Sequence, residues 1–222
     1  MRRASYKVSQ ALVALAAGLA TYAHAGTIEV SPFAGGESGI VTLTGRFDLI
    51  DSQTFRTKTA SLSKAIIVFS SDGGNLDAGI KIGEAARLKG FVTMVPAGAR
   101  CASACALAWL GGTRRLMGTG AHIGFHSAAD VSTGALSGTG DALIGAYLNK
   151  IGLPERAILY ITEKAPSDIQ WLTISDAAQI GLDVQAYQSP AKKAGPLSAS
   201  KEAAPESPQA SEPDQPQGCS VH

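Results

Sequence analysis

The chain has 222 residues, 45% of them hydrophobic and 17% charged, with a net charge of +1. That balance supplies no basic footprint for nucleic acid, and beyond the N-terminus no apolar run is long enough to cross a membrane. The N-terminus itself reads as a secretory signal peptide over residues 1–25. It has a basic start (MRRASYK), an apolar core (ALVALAAGLA) too short to span, and AHA before Gly26, which places cleavage after Ala25. A retained anchor is the alternative. Cleavage removes Arg2, Arg3 and Lys7 and no acid, which moves the net charge from +1 to −2. The mature protein is expected to be soluble and exported, periplasmic or secreted, and free of the membrane.

IVTLTGRF (40–47) and AIIVFSS (65–71) are short β-branched runs of strand type with a helix-capable segment between them. The second run stops at Asp72-Gly73-Gly74, and NLDAGIKIGEAARLKG then has mixed helical spacing up to Gly90. FVTMVP (91–96) is a strand, ACALAWLGG a buried helix stopped by Gly111 and Gly112, and RRLM and HIGFH two more short strands. The stretch from Gly140 to Leu182 is mainly helical, punctuated by Gly152–Pro154 and Pro166. From Ser189 onward the chain is rich in Pro, Ser, Ala, Glu and Gln and lacks large apolar residues, so 189–222 is expected to be a disordered tail. Cys219 in that tail is a free or intermolecular thiol candidate. Residues 26–188 remain as one domain, an α/β fold in which alternating strands and helices predict a largely parallel sheet with helical cover.

Four places carry chemistry. Gly73 and Gly74, directly after a strand and before a helix, leave backbone N–H groups bare at a helix start, a setting for a phosphate or an oxyanion. A plain turn is the simpler reading, and without the lysine of a phosphate-binding loop a nucleotide is not expected. Ser103 stands where the chain enters the ACALAWL helix. Its hydroxyl either caps that helix or faces a cleft, with the Ala104 N–H available to an oxyanion. In HIGFH, His122, Gly124 and His126 share one strand face, and a histidine at the strand end suits a general base to a serine. Cys101-x3-Cys105 with His122-x3-His126 superficially copies a zinc pattern. Histidines four apart on a strand stand too far apart to close one cage, however, and an exported protein favours a disulfide over a thiolate site. Neither metal nor cofactor is expected. Cys101 and Cys105 either pair, if Cys101 precedes the helix, or pack as small buried residues.

In order, LTGRF, SSDGGNLDAG, CASACA, HIGFH and WLTISDAAQIGL resemble the Clp protease proteolytic subunit within the ClpP/crotonase superfamily, and more closely its small exported, predicted periplasmic branch. The resemblance covers most of residues 40–184 and implies a spiral of ββα units. It implies Ser103 as nucleophile, His126 as general base, and an oxyanion hole of Gly74, with Gly73 beside it, and Ala104. The matching segment puts the third, acidic residue near Ala165; Asp168 is the choice, Glu163 the neighbour, and a helix cap the competing role for Asp168. Ala104 and Cys105 follow the serine where the family has Met-Gly. A serine–lysine dyad through Lys150 or Lys164 is the variant seen in exported relatives. Together these imply an exported serine hydrolase, an ATP-independent peptidase acting on peptide or protein substrate, with room for a homo-oligomer. The alternative is a catalytically inactive binding or assembly module on the same fold. CoA ester chemistry, also found in the superfamily, is not expected outside the cytoplasm.

Overall fold

A computed structural model describes residues 26–188; the signal peptide and tail expected at 1–25 and 189–222, with Cys219, lie outside them. The expected α/β class with a largely parallel sheet is the one observed. Six strands form the main sheet. In spatial order they are β1 (Thr27–Pro32), β2 (Ser38–Thr44), β3 (Lys64–Ser70), β4 (Val92–Val95), β6 (Arg114–Gly118) and β9 (Gln185–Tyr187). Only β1 runs antiparallel to its neighbour. A smaller sheet is built from β5 (Arg100–Ala102), β7 (His122–Phe125) and β8 (Gln170–Leu172). Six helices complete the described domain: α1 (Asp51–Lys58), α2 (Leu76–Leu88), α3 (Ala104–Leu110), α4 (Gly138–Lys150), α5 (Glu155–Thr162) and α6 (Ile174–Ile180).

The repeating unit lends one strand to each sheet before its helix. β4 joins the main sheet and β5 the small one, and then α3 follows; β6 and β7 do the same before α4. Single bridges Phe47↔Gly74 and Ser71↔Cys101 extend the small sheet's row back through the two earlier units. This second row is what places the Gly-Gly turn, the Ser103 segment and the histidine strand side by side.

Local chemistry explains the elements. In β3 the alternation of Ala65, Ile67 and Phe69 points one face of a β-branched run into the core. α2 starts at Asn75, whose side-chain oxygen accepts from Ala78 N at 2.9 Å. α6 opens with a reciprocal Thr173–Asp176 capping box and stops at Gly181 in the left-handed region, φ 72°. Every residue of α3 is buried. It packs on α2 through glycines: a Cβ at Gly79 would strike Ala104 O, and one at Gly83 would lie 3.2 Å from Leu107 O. Small residues along that seam let the two backbones meet.

Candidate active site

Ser103 occupies the single residue between β5 and α3. Its backbone sits at φ 55°, ψ −128°, and it is the only non-glycine with positive φ among the described residues. Such a conformation costs on the order of 1–3 kcal/mol and persists only where surrounding bonds over-determine it. Here they do. Ser103 N donates to Gly124 O at 2.9 Å, and Ser103 O accepts from Leu107 N at 3.1 Å. A disulfide joins Cys101 to Cys105, Cα atoms 5.2 Å apart, straddling the serine. Cys101 lies on the strand and Cys105 in the helix, which brings the pair within the reach that two positions four apart in one regular helix lack. The Ser103 side chain makes no capping bond to α3. Strand, sharp turn and helix together present the hydroxyl the way a nucleophile elbow does.

A cleft of about 740 Å³ opens in front of it, lined among others by Gly74, Ser103, Ala104 and His126. Of the expected oxyanion residues, Gly74 and Ala104 each present a backbone N–H with no hydrogen-bond partner among the described residues. Gly73 does not: its N–H donates to Ser71 Oγ at 3.0 Å and its carbonyl accepts from Phe47 N at 2.8 Å. Its role is spatial. A Cβ there would lie 2.6 Å from Ala102 O and 2.9 Å from Ala104 N, so only glycine lets the turn close on the serine's backbone.

His126 follows directly on β7 and is half-buried, its Nδ1 2.6 Å from Ser127 O. A carbonyl can only accept, so Nδ1 carries the proton and Nε2 is left as the basic nitrogen. Among the described residues no hydrogen bond joins the ring to Ser103 Oγ. In enzymes without substrate such bonds are often long and tighten only when the substrate arrives. His122 is exposed and packs edge-on against Trp171, ring centres 5.8 Å apart.

No protein-family model matches this sequence, and no curated protein is similar to it. Solved structures are similar to it. A variant of the 1510-N membrane-bound stomatin-specific protease shares 18% identity over 66% of this chain and 77% of its own, at a TM-score of 0.48. The 1510-N membrane protease specific for a stomatin homolog from Pyrococcus horikoshii shares 20% identity over 62% of this chain and 68% of its own, TM-score 0.42. A ClpP1 variant from Listeria monocytogenes shares 12% identity over 68% of this chain and 92% of its own, TM-score 0.43.

The expected acid is placed elsewhere. Asp168 is exposed; one carboxylate oxygen accepts from Ile169 N at 2.8 Å and the other lies 3.9 Å from Lys164 Nζ. The hydrogen bond of His126 Nδ1 goes to a main-chain carbonyl instead, and Asp168 makes no hydrogen bond to the ring and caps no helix, since it closes a turn, Asp168 N on Ala165 O at 2.9 Å, that leads into β8. Glu163 is exposed at the end of α5. Lys150 pairs with Glu84 at 2.8 Å, and neither it nor Lys164 lines the cleft.

Several cleft residues have no role assigned by the sequence reading. Leu76, Leu107, Phe125 and Ile144 form apolar walls, and Arg46, Asp48, Asp72 and Asp130 bring charge to the lining. Asp72 is held by Arg100 at 2.6 Å, and Arg100 lies 4.8 Å from the Trp171 ring centre. Hydrogen bonds from Ser132 and then Thr133 hold the Asp130 carboxyl down at about 2. Phe47 also lines the cleft: it ends LTGRF, and its backbone pairs with Gly74 to fix the glycine turn.

Proposed function

We propose that the protein is a serine hydrolase of the ClpP/crotonase type, a peptidase that works without ATP. The observation that carries this reading is the strained backbone of Ser103, which aims an uncapped hydroxyl into a cleft shared with His126 and two free N–H groups. Strain of this kind gathers at functional sites. In the proposed reaction His126 Nε2 takes the Ser103 proton as Oγ attacks the acyl carbon. The oxyanion rests on Gly74 N–H and Ala104 N–H, and His126 then returns the proton to the leaving amine. Water repeats the sequence to release the acyl group. The apolar walls suit the side chain of a peptide substrate.

The same proposal includes the setting. In it, residues 1–25 are a removed signal peptide, 26–188 the catalytic domain and 189–222 a Pro/Ser/Ala-rich tail, in a protein exported to the periplasm or beyond. The Cys101–Cys105 disulfide supports an oxidising compartment. Assembly into a homo-oligomer belongs to this reading as well.

A rival reading is a catalytically silent module that uses the cleft to hold a partner. The absence of a hydrogen bond from His126 to Ser103 favours it. Labelling of the mature protein with a fluorophosphonate probe separates the two. Wild type is expected to label and Ser103→Ala to lose labelling completely while its circular dichroism stays native. An unlabelled wild type would overturn the hydrolase in favour of the binding module.

A further inference from the structure

We propose that Asp141 is the acid behind His126, acting through the Ser127–Ala128 peptide group rather than by touching the ring. The oxygen of that peptide lies 2.6 Å from His126 Nδ1, and its N–H, on Ala128, donates to Asp141 Oδ1, also at 2.6 Å. One planar amide thus takes the imidazole proton donor on one side and faces a carboxylate on the other. A charge-assisted bond to the N–H draws electron density toward the carbonyl oxygen and makes it a stronger acceptor, so the two bonds reinforce each other. At one remove, Asp141 does what the acid of a triad does directly. It fixes the Nδ1–H tautomer and favours the imidazolium that forms when Nε2 accepts the serine proton. This rests on the proposed hydrolase reading for its catalytic meaning.

The peptide is anchored as a positioning element must be. Ser127 is 5% exposed; its Oγ donates to Thr162 O at 2.7 Å and its N to Lys164 O at 2.8 Å. Ala128 O accepts from Ser137 N at 2.8 Å, just ahead of α4, whose first turn carries Asp141. The other charged groups near His126 are committed or form no bond to it. Arg46, Asp48, Asp72 and Asp130 line the same cleft, with Asp72 on Arg100 and Asp130 on its own loop. Lys164 and Asp168 face each other on the connection from α5 to β8. An acid in the first turn of α4 also suits the helix dipole, so a purely structural Asp141 is the reading to beat.

The test uses the mature chain with Asp141→Asn and Asp141→Ser. Each replacement still offers Ala128 N–H an acceptor but removes the charge, and the second covers a failure of the first to fold. The first readout is the ring ¹⁵N spectrum of His126 above neutral pH, assigned against His126→Gln. Wild type should show the Nδ1–H tautomer, and both variants should move part of the population to Nε2–H. The second is fluorophosphonate labelling, resolved into probe binding and the limiting rate. That rate should fall roughly ten- to a hundredfold, part of the about 10²–10⁴-fold a positioned general base supplies, with probe binding little changed. Asp141→Glu should restore most of both, and Asp168→Asn should change neither. Wild-type tautomer signals in both charge-removing variants would overturn the proposal, as would an Asp168→Asn variant that matches them. The tautomer readout decides the matter even if the wild type does not label, because it does not depend on turnover.

Discussion

Ser103 holds an L-residue where its own backbone prefers glycine. An L-residue at φ 55°, ψ −128° carries strain that glycine does not. Ser103→Gly and Ser103→Ala both remove the hydroxyl, so their difference isolates the backbone. The glycine variant pays some unfolded-chain entropy but relieves the turn, and it should be the more stable of the two by about 1 kcal/mol. Urea midpoints measure this directly. A glycine variant less stable than the alanine one would show that the turn is not strained. His126 shows the reverse economy: its orientation comes from a main-chain carbonyl next door, a partner that no side-chain motif can announce.

At the scale of elements, the α2–α3 seam couples fold to site. Gly79 on α2 faces Ala104 O, while the same Ala104 lines the cleft and its N–H is one of the two donors in the proposed reaction. Gly79→Ala should therefore push the helices apart, lowering stability by about 1–3 kcal/mol, and should also slow fluorophosphonate labelling in protein that is still fully folded. Lost stability with an unchanged labelling rate would uncouple the seam from the site. What the sequence made legible follows the same division. β2, β3 and β4 were readable from β-branched runs, and α2 and α3 from their stops at glycine, because each buries a regular face. β5, β8 and β9 have three residues each, too few for any period to register, and they are strands because neighbours pair with them. Motif order singled out Ser103, His126, Gly74 and Ala104, which line one cleft. Asp168 was misplaced because its segment turns into β8, and Asp141 was invisible because it reaches His126 only across a peptide that folding brings to the start of α4.

For the whole molecule, the disulfide is also a timer. Cys101 and Cys105 are both 0% exposed and belong to the same core cluster as Trp109, Leu110 and Ile123. A thiol reagent in solution has no path to either sulfur while that core is closed. Reduction must wait for an opening large enough to unseat α3, so its rate should rise with reductant and then level off. The plateau should equal the global unfolding rate extrapolated from denaturant kinetics. A reduction rate that keeps climbing past the unfolding rate would mean that small local openings reach the sulfurs. With a plateau, the chain carries its own clock: the half-life of one covalent bond under reductant records how often the entire buried core comes apart.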